Sequence, residues 1–184
     1  MMRKWNAVIS MAIIVLFLIH AIAGGFQLAG IMKGGSTLLS VMAWVMAGLI
    51  VIHIVIGTKL TTDTIRAKRH SKVSYSKENK LFIARRISGF AIIIFLLCHV
   101  MIFIGNNDNG VYRLHYFGKM QLITQLLLVL SIAVHVITNL KPLFIAFGIR
   151  SLKEYAVDIL LILSILLVLM GIAFCIYYTR WKIV

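Results

Sequence analysis

The chain has 184 residues, of which 61% are hydrophobic and 13% are charged. A soluble domain is about 45–50% apolar, so the composition excludes a soluble enzyme and a disordered protein, and it leaves too few polar stretches for a second domain. Lysine and arginine outnumber aspartate and glutamate by 19 to 5, a formal net charge of +14. In so apolar a chain, this excess predicts membrane orientation and no nucleic-acid partner. We expect one integral membrane domain, residues 1–184, in contact with the lipid bilayer.

Five apolar segments are long enough to cross a bilayer as helices, since one crossing takes about 20 residues. They are residues 6–31, 37–58, 87–104, 120–139 and 155–179. Their runs are continuous and not alternating, which predicts helices and not barrel strands. The first segment is not expected to be a cleaved signal peptide, because it is too long and lacks the small-residue cleavage pattern.

Basic residues between the segments predict the side of the membrane that each connection faces. With the N-terminus inside, inner connections hold 14 lysines and arginines and outer ones hold 5. The positive-inside rule then places the N-terminus inside and the C-terminus outside. Nine of the inner basic residues lie in the connection of residues 59–86. This connection has two compatible interpretations, which are attraction to anionic headgroups and docking of a cytoplasmic partner.

One histidine lies in each of the first four segments, at His20, His53, His99 and His135, and none lies in the fifth. An imidazole in hydrocarbon is costly without a partner, so such residues indicate function. At 1.5 Å of rise per residue, His20 and His99 lie about 24 and 20 Å from the inner edge, and His53 and His135 about 9 Å. We therefore predict an outer pair, His20 with His99, and an inner pair, His53 with His135.

A six-coordinate haem iron requires two axial ligands, and two facing imidazoles at one depth in a helix bundle can supply them. The sequence has no Cys-x-x-Cys-His, which predicts non-covalent, b-type haem. Two such haems, about 11–15 Å apart in depth, would carry electrons across the membrane. The alternatives for the histidines are structural hydrogen bonds and a proton or metal-ion path. The ion path is disfavoured because none of the five acidic residues lies deep in a segment.

The spacing of residues 86–90, Arg-Ile-Ser-Gly-Phe, and His99 resembles the third ligand-bearing span of a known family. The family is the dihaem cytochrome b anchor of succinate:quinone oxidoreductases, which include fumarate reductases and the five-helix, single-subunit type of succinate dehydrogenase. Residues 53–72 and 135–142 are similar to the segments that follow its second and fourth ligands. The resemblance covers the whole chain in layout and is specific at the four histidines and at Ser88-Gly89.

The resemblance implies an all-α fold in which four helices form a haem-binding bundle and the fifth is peripheral. It implies two haem b groups, with the outer pair and the inner pair as iron ligands and with Ser88 and Gly89 accommodating haem. It also implies a quinone, with menaquinone expected, and cytoplasmic flavoprotein and iron–sulfur subunits on the inner face of a bacterial cytoplasmic membrane. This subunit would transfer electrons and react with quinone, and the dicarboxylate chemistry would belong to the flavoprotein.

The quinone site departs from the family pattern in two places. Some members carry a glutamate in the outer part of the second span, where this chain has residues 38–42 (Leu-Leu-Ser-Val-Met), and some carry one at the position of Ala133. The candidate quinone-binding residues are therefore the polar ones near the outer pair, whose alternative role is a solvated loop: Gln27, Lys33, Asn106, Asn107, Asp108, Tyr112 and Arg113.

Glycines and basic residues near the segment ends have structural interpretations. Six glycines would let either a neighbouring helix or a haem face approach closely: Gly24, Gly25, Gly48, Gly57, Gly89 and Gly105. Helix packing is favoured except at Gly89, which is assigned with Ser88 to haem. Four basic residues would either pair with haem propionates or extend to the lipid headgroups: Lys59, Arg85, Arg86 and Lys141.

Two other classes of function remain open from the sequence. A ferric or ascorbate-type reductase resembling cytochrome b561 also places four histidines on consecutive helices. Such proteins usually have six spans with the ligands on the middle four, whereas here the ligands lie on the first four of five. A haem-free transporter or structural anchor is the other class, and it predicts a colourless protein.

Overall fold

The computed structural model describes residues 2–71, 76–104, 107–108, 111–112, 117–148 and 153–183. Five helices make up nearly all of these residues: α1 Met2–Ala29, α2 Thr37–Ser71, α3 Ser76–Phe103, α4 Lys119–Ala146 and α5 Lys153–Ile183. Between α3 and α4, the short strands β1 (Asn107–Asp108) and β2 (Val111–Tyr112) pair antiparallel, with Asn107 opposite Tyr112.

All five helices are long and apolar enough to cross a membrane, which confirms the predicted number of spans. Their apolar residues are not hidden inside the molecule. At most 22% of the residues in any helix's most apolar window are buried, and Leu38, Phe90 and Met101 are 69%, 66% and 78% exposed. Water would solvate such a surface poorly, and lipid acyl chains match it. The fold is therefore that of a multi-pass membrane protein.

All five helices extend past the predicted segments, and α2, α3 and α4 do so by seven residues or more. The second was expected to end at residue 58 and continues to Ser71, and the third was expected to begin at residue 87 and begins at Ser76. The fourth passes through Pro142 and ends at Ala146. Most of the predicted connection of residues 59–86 is thus helical. Hydropathy marks only where a helix leaves hydrocarbon, whereas Lys, Arg and Glu keep a high helix propensity in water.

The helix contacts place α1 and α4 at the centre of the arrangement. Helix α1 contacts α2, α4 and α5, and α4 contacts α1, α3 and α5. Among the described residues, no Cα atoms of α1 and α3, or of α2 and α4, come within 8 Å of each other. The helices of these two combinations therefore do not pack directly on each other, and among the same residues neither do α2 and α3. Helix α5 packs on α1 and α4 and carries none of the four histidines.

A small aromatic core joins the C-terminal ends of α1 and α5 to the start of α4. The Phe117 ring lies 4.9 Å from the Tyr177 ring and stacks on Phe174 at an interplanar angle of 11°. The Arg180 guanidinium donates a hydrogen bond to the Leu28 carbonyl. This cluster fixes α5 against the helices that carry His20 and His135.

Candidate functional site

The structure brings the four histidines together in the two combinations expected from depth. The ring centroids of His20 and His99 are 6.1 Å apart, with the ring planes at 76°. Those of His53 and His135 are 6.3 Å apart, with the planes at 89°. Each pair joins two helices whose described backbones are not in direct contact, α1 and α3 for the outer pair and α2 and α4 for the inner pair.

The distance between the two pairs follows from contacts made at each level. Ser10 contacts the inner pair and lies ten residues before His20 on α1. Gln125 contacts the outer pair and lies ten residues before His135 on α4. Gly89, which lies beside the inner pair, is likewise ten residues before His99 on α3. Ten residues of helix rise about 15 Å, so three helices give the same separation, at the upper end of the predicted range.

A serine fixes the ring of His53. Its Nδ1 lies 3.3 Å from Ser10 Oγ, and that hydroxyl donates its own proton to the Asn6 carbonyl at 2.7 Å. Ser10 Oγ is therefore an acceptor toward the ring, and the His53 Nδ1–H donates to it. The lone pair of His53 Nε2 is left available.

The other ring of the inner pair is held in the same way by α3. His135 Nδ1 lies 3.3 Å from Ser88 Oγ, whose proton goes to the Arg85 carbonyl at 3.2 Å. Ser88 is buried. A Cβ at Gly89 would lie 3.3 Å from His135 Cε1, so the glycine lets the ring approach the α3 backbone. Ser88 and Gly89, predicted as cofactor-contacting residues, both lie against the histidine.

A carboxamide holds the outer pair. His99 Nδ1 lies 2.7 Å from Gln125 Oε1, and the Gln125 side chain is completely buried. Neither Gln125 nor Ser10 was predicted from the sequence. One signal could have found them, since each is a polar residue in an apolar segment ten positions before a histidine on the same helix. Buried polar side chains need partners.

These arrangements fit a haem. A metal–imidazole bond of about 2 Å, and about 1 Å from the nitrogen to the ring centre, give about 6 Å between the centroids of two axial ligands. The pairs measure 6.1 and 6.3 Å. Gly24 and Gly57 follow the α1 and α2 histidines by one helical turn, and a Cβ at either would meet open space. No described protein atom therefore fills the space next to these two glycines.

A bare metal ion fits less well than a porphyrin. No group of three or more His, Cys, Asp or Glu side chains converges within the described part of the chain. Two imidazoles leave half of the coordination positions of a tetrahedral ion empty, and four of the six of an octahedral ion. A porphyrin supplies four positions itself and needs two more from the protein, which is the number that each pair offers.

The glycines divide into two groups. Gly25 packs closely on α5, where an added Cβ would meet the Met170 side chain, so the packing prediction is correct there. That prediction is wrong at Gly24, Gly48 and Gly57, where no neighbouring atom lies within 4 Å of an added Cβ. Gly105 lies outside the described residues.

Two of the basic residues near the inner pair contact neighbouring groups. Arg85 Nε donates a hydrogen bond to the Thr138 carbonyl on α4 at 2.8 Å, and the Arg86 guanidinium lies 5.0 Å above the Phe82 ring. The other two, Lys59 and Lys141, are exposed. Propionate pairing therefore stays a prediction for all four.

The candidate quinone residues are only partly described. Gln27 Nε2 donates a hydrogen bond to the Lys33 carbonyl at 3.4 Å. The backbones of Asn107, Asp108 and Tyr112 belong to the hairpin of β1 and β2. Their side chains lie outside the described part of the chain, as do two complete candidates, Asn106 and Arg113.

Comparison of the chain with protein-family models, with curated proteins and with solved structures gave no match in any of the three. The basis for assigning a function is therefore the geometry of the two histidine pairs.

Proposed function

We propose that this protein is a dihaem cytochrome b that serves as membrane anchor and electron-transfer subunit of a succinate:quinone oxidoreductase-type complex. The observation that carries the proposal is that the four histidines form two pairs, with ring centroids 6.1 and 6.3 Å apart, at two levels separated by about 15 Å. Three of the four rings use Nδ1 for a hydrogen bond, which leaves Nε2 for iron. Metal-binding histidines usually have such a partner on the other ring nitrogen.

The chain's own residues would bind and insulate the cofactors. The outer pair and the inner pair would hold one iron each, and Ser10, Ser88 and Gln125 would keep the ligand rings in place. The apolar helices exclude water, which sets the potential of a buried cofactor. When bound, the haems would supply two one-electron carriers between a quinone and a cytoplasmic flavoprotein and iron–sulfur module.

The inner surface offers a face for those soluble partners. Helix α2 continues beyond its apolar part to Ser71, and the exposed residues of this extension include Lys59 and Arg66. A basic helical extension suits an acidic protein surface. The extension suits anionic lipid equally well, so co-purification has to distinguish a protein partner from lipid.

Haem binding is tested by replacing one histidine from each pair. We expect His53→Ala and His99→Ala each to remove about half of the haem b from the purified protein, and the double variant to be colourless. His70→Ala is the matched control, because His70 lies outside the four apolar segments, and it should keep both haems. The measurement is the reduced-minus-oxidised spectrum per mole of protein. Wild-type protein without haem would overturn the proposal.

The nature of the complex is tested by purification from mildly solubilised membranes. We expect flavin absorbance and an iron–sulfur signal to co-purify with the haem. Haem without any flavoprotein would instead favour the reductase resembling cytochrome b561.

A further inference from the structure

The outer and inner pairs differ in the groups that hold their rings. Both inner rings bond to serine hydroxyls at 3.3 Å. In the outer pair, His99 bonds to a buried carboxamide at 2.7 Å, and within the described residues His20 has no such Nδ1 bond. Among the described residues, Gln125 is therefore the only Nδ1 partner at the outer site. Its hydrogen bond is shorter than those of the serines, and its carboxamide is more polar than a hydroxyl.

The orientation of the Gln125 amide is determined by its neighbours on α4. Gln125 Nε2 donates to Thr124 Oγ1 at 3.3 Å, and Thr124 Oγ1 donates its own proton to the Gln121 carbonyl at 2.8 Å. Gln121 is itself held, because its Oε1 accepts the backbone N–H of Gly118 at 3.0 Å. With its proton committed, the threonine can only accept from Gln125, so the amide NH2 faces Thr124 and the carbonyl oxygen faces His99.

This chain of hydrogen bonds selects the tautomer of His99. A carbonyl oxygen 2.7 Å from Nδ1 requires that Nδ1 carry the proton, and Nε2 is then unprotonated. A flipped amide would present N–H groups to Nδ1 and force the proton onto Nε2, which could not bind iron. The tautomer that suits a ligand is thus fixed by residues of the first two turns of α4.

We propose that Gln125, oriented by Thr124, is a positioning residue that makes His99 a ligand and lowers the midpoint potential of the outer haem. The inference rests on the proposed function. Hydrogen bonding of Nδ1–H to an acceptor increases electron donation from Nε2 to the metal, and ferric iron gains more from this donation than ferrous iron. The effect is confined to the outer pair, because the inner rings depend on Ser10 and Ser88.

The test compares variants that remove or keep the acceptor oxygen. Gln125→Met is nearly isosteric and has no carbonyl, whereas Gln125→Glu keeps an acceptor at the same reach. Thr124→Val leaves the amide in place and removes the group that orients it. Ser10→Ala and Ser88→Ala are matched controls that act on the inner pair. Haem content and a two-component potentiometric titration are measured, and the components are assigned with His99→Ala and His53→Ala.

We expect Gln125→Met to weaken haem binding at the outer site by about 10- to 100-fold and to raise only the outer potential. If the site loses a factor of ten in its preference for ferric over ferrous haem, the midpoint potential of the outer haem rises by about 59 mV. Thr124→Val should shift the same component as Gln125→Met. Gln125→Glu should keep the outer potential at or below the wild-type value, because a carboxylate is a stronger acceptor than an amide. The serine variants should shift the inner component.

The proposal is overturned if Gln125→Met leaves both potentials unchanged or moves both equally, or if Gln125→Glu is as impaired as Gln125→Met. These outcomes differ from failure of the proposed function, in which the wild-type protein binds no haem.

Discussion

Gly89 offers a direct test of where the inner pair lies. An added Cβ would sit 3.3 Å from His135 Cε1 and 3.4 Å from Nδ1, whereas carbon atoms in contact are normally about 3.5–4.0 Å apart. Gly89→Ala therefore requires the ring to move by a few tenths of an ångström. Gly89→Val places two further methyl groups against the ring, and this requires a larger displacement.

The cost of such crowding is about 1–3 kcal/mol, or about 5- to 150-fold in haem affinity at the inner site. We expect Gly89→Ala near the low end and Gly89→Val near the high end. The assay is titration of haem into the haem-depleted protein, followed by the amplitude of the inner component. Because alanine in a helix is more stable than glycine by roughly 0.5–1 kcal/mol, the thermal stability of the haem-depleted Gly89→Ala protein should not fall.

Gly48→Ala is the matched control. Gly48 faces open space and lies five residues before His53, which rotates it about 140° around α2 from the histidine. It should bind haem as the wild type does. If Gly89→Val also binds two haems with wild-type affinity, the placement of His135 against α3, or its role as a ligand, is wrong.

Three further predictions concern the fold and its orientation. Phe117→Ala should lower the free energy of unfolding in detergent by about 1–3 kcal/mol, because its ring contacts are lost. Phe90→Ala, at an exposed position, should change it by less than about 0.5 kcal/mol, and equal effects would contradict the aromatic core. Gly30→Ala should be destabilising by about 1–3 kcal/mol, because Gly30 has φ +78° and an added Cβ would overlap the guanidinium that binds α1; an unchanged melting temperature would contradict this strain. In a cysteine-free background, Ser36→Cys should react with an impermeant thiol reagent added to intact cells, and Thr62→Cys should react only after lysis; the reverse pattern would refute the N-inside orientation.

Several features of this protein follow from the sequence alone. Burial in lipid requires about 20 apolar residues per crossing, so hydropathy was sufficient to count the five spans. The regular rise of the helix was sufficient to sort four histidines into two levels. The first property depends on the hydropathy of neighbouring residues in the chain, and the second depends on the helical rise per residue. Neither requires knowledge of which helices are neighbours.

Helix limits were predicted less well, for a related reason. Hydropathy reports where the apolar run ends. The extension of α2 to Ser71 and the early start of α3 at Ser76 lie beyond those runs, where helix propensity decides. The role of the glycines also depended on neighbours, since Gly25 meets α5 and Gly57 meets nothing.

The tertiary structure alone decided which groups hold the histidine rings. Ser10, Ser88 and Gln125 lie 43, 47 and 26 positions along the chain from their histidines, and no periodicity links residues on different helices. Hydrogen bonds act over about 3 Å, so these contacts exist only once the helices are placed and rotated. The sequence thus determined the membrane class and the two levels of the histidines, and the packing of the helices determined which side chains contact each ring.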